Sequence, residues 1–399
     1  MTPNAEPLGP DLARLQRIAL AIGVTATAIC VVGGFFSPAQ FFRSYLVAFL
    51  VWSGVALGAM VGLMIHHLVG GAWGFLVRRL LESSTRTWPL VALLAIPVMA
   101  GIPWVYTWAN AGAVSQSAVL QGKHLYLNTP FFIARTVFYF AVWGWMIHAL
   151  NRLSRRQDTD ASPEILRKLQ NLSGPGLVIW GVVMSFAVID WVMSLEPEWF
   201  STVFSALFMM GQILSSLAFV IAIIYLLASR PPLSKLASQK YLNDLGNMML
   251  VFVMLWAYMQ LSQLIIIWSG NLTEEIPWYM HRVQGGWRIV TIILGLFYFG
   301  APFFCLLQRK VKRRLRFLSS LAVFVIVMRT VEVVWMVEPS FDTHGFIFHW
   351  MDWVAPIGLG GIWVAAYVWQ LARRPLLPES DPRLPLVMER LKRARVGDV

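Results

Sequence analysis

Ten apolar runs, each about 19 to 29 residues long and separated by short polar links, leave this chain few ways to fold. A helix rises about 1.5 Å per residue, so runs of this length match a hydrocarbon core roughly 30 Å thick. Backbone polar groups in lipid have to be satisfied within their own segment, which makes each run a helix. The runs lie at about 18–36, 45–69, 88–108, 131–150, 176–195, 200–228, 245–268, 287–307, 316–337 and 350–372. The expected fold is therefore all-α integral membrane, with ten transmembrane helices. Composition agrees, with 13% charged and 58% hydrophobic residues, where soluble domains are about one quarter charged. The first run is long for a signal-peptide core, and Phe35-Phe36-Ser37-Pro38 behind it is a poor cleavage site, so it reads as a span.

Charge sets the orientation. Of the 32 Lys and Arg, 26 fall in the N-terminal segment, the loops after runs two, four, six and eight, and the C-terminal tail. Four fall in the alternate loops, and Arg135 and Arg329 lie inside spans. Basic loops mark the cytoplasmic side, so both termini are expected in the cytoplasm of a bacterial inner membrane. The net charge of +12 is mostly this asymmetry, which weighs against nucleic acid as its partner. Cys30 and Cys305 have no partner at metal-ligand spacing and read as small packing residues.

An internal echo suggests how the spans are grouped. Asp190-Trp191-Val192-Met193-Ser194-Leu195-Glu196-Pro197 matches Glu332-Val333-Val334-Trp335-Met336-Val337-Glu338-Pro339: an acid, five residues, then Glu-Pro. The offset spans four helices, so both copies point the same way, as in parallel repeats of membrane carriers. The expected organisation is a cytoplasmic segment 1–17, a flanking helix with its outer loop 18–44, and a first four-helix bundle 45–199. A second bundle 200–342, a flanking helix 343–372 and a basic tail 373–399 follow. Arg135 and Arg288 stand near the outer starts of runs four and eight, and both are candidates for structural ion pairs.

Ionisable groups inside a span are costly and are usually paired or turned to a polar cavity. Asp190 lies six residues before Glu196, roughly 9 Å inside the outer interface, and Glu332 shares that depth through the repeat. Arg329, three residues from Glu332 on one helix face, is placed to pair with it. Asp190 has no cation on its own helix. Either it is desolvated and carries protons, or Arg135 or Arg329 clamps it and holds the two bundles together. Run seven adds Tyr258, Gln260, Ser262 and Gln263, with Trp256, Gln260 and Gln263 on one face, fit for a hydrated path or for interhelical hydrogen bonds. His66 and His67 end run two and could receive protons from the inner side. His148 lies at the same depth on run four, yet the two histidine sites alone make a weak case for haem. Outside, Glu196, Glu198, Glu274, Glu275, Glu338, Asp342, His344 and His349 form an acidic surface suited to a docking partner. Gly54, Gly58 and Gly62 make a close-packing face. The chain holds no phosphate loop, no Cys-x-x-Cys-His and no Ser/His/Asp set, so no catalytic set, metal or redox centre is expected in it.

Three stretches resemble the F subunit (ActF) of alternative complex III, a quinol:cytochrome c oxidoreductase. They are Lys123-His124-Leu125-Tyr126-Leu127-Asn128-Thr129-Pro130-Phe131-Phe132 with Arg135, the segment from Asp190 to Ser201, and Trp268-Ser269-Gly270-Asn271-Leu272-Thr273-Glu274-Glu275-Ile276-Pro277-Trp278-Tyr279. With the span count, the resemblance covers about residues 15 to 372. It implies an NrfD-like fold of two four-helix bundles with flanking helices. It implies partners as well: a second NrfD-like ten-helix subunit, a periplasmic iron–sulfur and molybdopterin-like subunit, and haem c subunits. Iron–sulfur clusters, haem c and the menaquinone or ubiquinone site would belong to those partners, and this chain would be scaffold and proton path through Asp190, Glu332 and Arg329. Two other readings stand beside it, a quinone-binding subunit of the same complex and a stand-alone secondary transporter.

Overall fold

The computed structural model describes residues 10–231, 233–341, 349–378 and 380–389. Asp342, His344 and the last basic residues of the tail lie outside them. Among the described residues every regular element is helical, and nine helices are long and apolar enough to cross a membrane. The protein is an all-helical, multi-pass membrane protein.

The main helices are α1 (Pro10–Phe36), α2 (Pro38–Val69), α3 (Trp73–Thr85), α4 (Trp88–Ala100), α5 (Thr129–Gln157), α6 (Pro163–Trp191), α7 (Phe204–Leu227), α8 (Gln239–Gly270), α9 (Ile276–Val283), α10 (Trp287–Leu307), α11 (Leu315–Val337) and α12 (Met351–Leu371). Local chemistry fixes several ends. Asn128, Ser162 and Ser238 accept backbone N–H bonds at the starts of α5, α6 and α8, satisfying donors that a helix leaves orphaned. Asn271, in the left-handed region at φ 49°, stops α8.

The third apolar run departs from expectation. It is not one helix over 88–108: α4 ends after 13 residues, about 20 Å of rise. Gly101 follows, and Pro103 lacks the N–H that would continue the ladder. The segment still passes from one end of the molecule to the other. Arg86 bonds the end of α12 through the Gln370 carbonyl, while Tyr106 donates to the Trp191 carbonyl and Trp108 to Ser194 Oγ beyond the end of α6.

α2 is the hub. It touches α1, α3, α4, α6, α7, α11 and α12. Its most apolar window is 89% buried, against 17% for α1 and 22% for α8 and α10, so α2 is enclosed by the rest of the chain and those three are largely uncovered. The expected glycine face is real but divided. A Cβ on Gly58 would overlap the Gln212 backbone of α7, and one on Gly54 would press on the Gln212 side chain, whereas Gly62 faces Leu81 of α3. α1 lies along α12 in the same manner, Gly23 against the Ile362 backbone. α2 and α5 each pack on both α4 and α6; α7 and α10 each pack on both α8 and α11.

Candidate functional site

Asp190 is fully buried, in the last turn of α6. Arg135 of α5 grips it with two parallel bonds, Nε to Oδ2 at 2.8 Å and Nη2 to Oδ1 at 2.9 Å. Tyr139 Oη adds a third at 2.6 Å. Arg135 is held in turn by the Tyr126 carbonyl at 2.9 Å and lies over the Tyr126 and Phe131 rings at 3.8 and 4.2 Å. Of the two arrangements open from sequence, this is the clamped one. A bidentate guanidinium with a phenol ties α5 to α6.

Glu332 and Arg329 pair along α11 at 2.5 Å, both buried. Trp256 Nε1 of α8 donates to Glu332 Oε1 at 2.5 Å. The Arg329 guanidinium lies 4.5 Å from the Phe208 ring centre, and it fits beside α7 because residue 211 is glycine; a Cβ there would overlap it. Tyr298 is fully buried and packs edge-on against Trp256 at 4.6 Å, its hydroxyl without a hydrogen bond. It sits in a π-helical turn, Leu294–Gly300. Pro302 has no N–H and its ring crowds the carbonyl four residues back, which is that of Tyr298, so the turn widens there. Such turns are frequent at functional positions.

Above these carboxylates, the end opposite the basic loops is one connected layer. Lys123 Nζ donates to the Pro197 carbonyl at 2.5 Å, and Trp199 stacks on Trp278 at 4.7 Å. Arg282, fully buried, bonds Glu196 at 2.9 Å, the Trp278 and Met336 carbonyls and Ser340, with its guanidinium over the Trp278 ring at 3.9 Å. Burial pushes the Arg282 guanidinium down from its usual range, and Glu196 opposes that shift.

The other expected residues scatter. Arg288 is exposed and makes no ion pair among the described residues; Arg282 takes the buried place, because α9 turns it inward. Tyr258 is 63% exposed and points away from the Trp256 face. Gln263 is buried and meets Ser201 only at 3.5 Å, while Gln260 is half-buried. His66 and His67 are fully buried rather than interfacial, and His148 is exposed. His67 shares a 3.1 Å bond with Ser173. His66 lies where a Cβ on Gly74 would overlap its ring. Glu198 and Glu274 are exposed, as expected of a solvated rim, but Glu338 is buried. Cys30 and Cys305 are free thiols. No group of three or more metal-ligating side chains occurs among the described residues.

No family model matches the sequence, and neither does any curated protein. Sequence reasoning missed Arg282, Tyr298 and a dense ionic network at the basic end. All three had signals: Arg282 follows Trp278 by one helical turn, Arg78 precedes Glu82 by one, and Pro302 follows Tyr298 by one.

Proposed function

We propose that the chain is the F-type membrane subunit of a respiratory quinol:cytochrome c oxidoreductase of the alternative complex III kind, anchoring periplasmic redox subunits and offering a proton-bearing site at Glu332. One observation carries the reading. The three stretches that resemble that subunit lie far apart in sequence, yet they meet in one layer at one end, through Lys123 with Pro197, Arg135 with Asp190, and Trp199 with Trp278. A layer built from all three motifs is what a docking platform needs.

On this reading the broken segment 88–108 counts as a tenth crossing, and both termini lie in the cytoplasm of a bacterial inner membrane. The contacts among α2, α4, α5 and α6, and among α7, α8, α10 and α11, are then two copies of one four-helix unit. Quinone, iron–sulfur clusters and haem c reside in the partner subunits, among them a second NrfD-like chain. Glu332 is the residue to test for a proton role, since Tyr298 packs on the Trp256 that bonds it and places a hydroxyl in the same buried cluster.

The test is gentle extraction of the tagged chain from native membranes, followed by native electrophoresis, haem staining and mass spectrometry. A large haem-positive assembly containing iron–sulfur and haem c subunits is expected. A lone chain in mild detergent would overturn the reading in favour of a stand-alone transporter.

A further inference from the structure

The basic end of the molecule holds more cation than its carboxylates neutralise. α3 lies there buried from Gly74 to Thr85. It meets the end of α5 and the segment after α12, which bring Ser154, Gln157 and Asp158 on one side and Arg374, Asp381 and Arg383 on the other. Each carboxylate here is already taken. Glu82 receives Arg78 at 3.0 Å, Ser154 at 2.6 Å and Arg79 at 2.7 Å. Asp381 receives Arg78 at 3.0 Å, Arg383 at 2.9 Å and Gln157 at 3.2 Å. Asp158 receives Arg79.

Three guanidiniums are left over. Arg374 reaches Glu82 only at 3.5 Å. Arg86 bonds Ser83 Oγ and the Gln370 carbonyl but no carboxylate, and Arg155 is exposed without an ion pair among the described residues. The Nε of Arg86 and that of Arg79, a side chain 2% exposed, are both buried without an acceptor. Burial, then the fields of Arg374, Arg79 and Arg155, pushes the Arg86 guanidinium down to about 10. Like charges gathered at a membrane interface with donors to spare call for an anion.

The surroundings say which kind. Arg86 lies two residues before α4, whose Leu93 and Ile96 are exposed, and α5 beside it exposes Trp145. A polar anion site thus opens onto apolar helix faces that continue into the hydrocarbon region. We propose that Arg86, Arg155 and Arg374 bind the phosphate of an anionic phospholipid whose acyl chains run along α4 and α5. The bound lipid neutralises the surplus charge and covers the exposed apolar face of α4. This inference does not depend on the respiratory reading.

The test uses the protein as extracted with its natural partners, stripped of loose lipid, then mixed with phosphatidylglycerol or phosphatidylcholine and examined by native mass spectrometry. The wild type should retain phosphatidylglycerol over phosphatidylcholine. The pair Arg86→Gln with Arg374→Gln should weaken that retention roughly tenfold. Arg313→Gln with Arg316→Gln, which removes the same charge at another basic loop, should leave it unchanged. If the double variant does not fold, the exposed Arg155→Gln carries the test with a partial loss. Equal retention in all variants, or equal retention of both lipids, would overturn the proposal. So would displacement of the lipid by millimolar inorganic phosphate, which would make the site one for a soluble anion.

Discussion

Arg135 reaches Asp190 from the neighbouring helix, whereas Arg329 reaches Glu332 from its own. Removing Arg135 leaves a buried carboxylate unpaired and unties α5 from α6, so Arg135→Ala should cost about 3–5 kcal/mol. Replacing both partners with leucine should recover most of that loss, because an apolar pair leaves no charge stranded. Unfolding in mixed micelles would measure both, and equal destabilisation by the single and double changes would refute the clamp. At Glu332 the proposed function adds a second expectation. Glu332→Gln keeps an acceptor for Trp256 but leaves the buried Arg329 without its carboxylate, so it should cost stability on the scale of Arg135→Ala; under the proposed function, the complex that still assembles should oxidise quinol while releasing fewer protons per electron pair. Normal proton release would remove Glu332 from the path. The Arg329–Glu332 pair was legible because its partners are three apart on one helix. The Arg135–Asp190 pair stayed open because sequence does not say which helices are neighbours. Arg282 stayed hidden while Arg288 stood out, because the phase of a short helix between two spans is invisible in the pattern of apolar runs.

Two elements show where periodicity misleads. The run 88–108 is apolar throughout, yet Gly101 and Pro103 end α4 early, and a composition window averages over such breaks. In α10 the π turn hides inside an unbroken apolar stretch, although Pro302 marks it. Excising one residue from Leu294–Gly300 should restore α-helical register and swing Tyr298 away from Trp256, with the chain still inserted; quenching of a Trp256 fluorescence signal by Tyr298→Cys spin label, lost on excision, would report it. α3 and the segment after α12 make a second kind of element, held by charge. Burial would raise the Glu82 carboxyl, but Arg79, Arg78 and Arg374 together hold it well below its usual 4.5. Burial likewise opposes, and Arg383 and Arg78 outweigh it, at Asp381, which lies below its usual 3.8. Folded values below unfolded ones mean stabilisation that is complete above the unfolded values and lost as pH falls through the folded ones. Hydrogen-exchange protection over 380–389, corrected for the intrinsic pH dependence of the rate, should therefore be flat from neutral pH down to about 4.5 and fall only in stronger acid. Loosening near pH 6 would contradict it.

Across the whole molecule, the multi-pass helical architecture and nine of the ten expected runs were legible because the bilayer imposes one dimension on every span. Placement around α2 was not, since the enclosed α2 and the exposed α1 share the same mean hydropathy of 2.2. Apolar side chains suit lipid and protein interior equally, so sequence does not tell which neighbour a helix has. Orientation is open to direct measurement. Cysteines placed at Glu198 and Thr273 should react with an impermeant maleimide outside intact cells, and one at Thr159 only after permeabilisation. The reverse pattern would invert the molecule in its membrane.

The enclosure of α2 also has a history in time. Its neighbour α12 begins at Met351. At typical synthesis rates of about 5–20 residues per second, that helix leaves the ribosome roughly 15–60 s after α2 does. For that interval the most enclosed helix of the finished protein stands among lipids or insertion machinery, and its side chains have to be compatible with both. That double tenancy gives a reason for α2 to carry so few polar groups along its middle, and a newly introduced charge there would be punished before folding is complete.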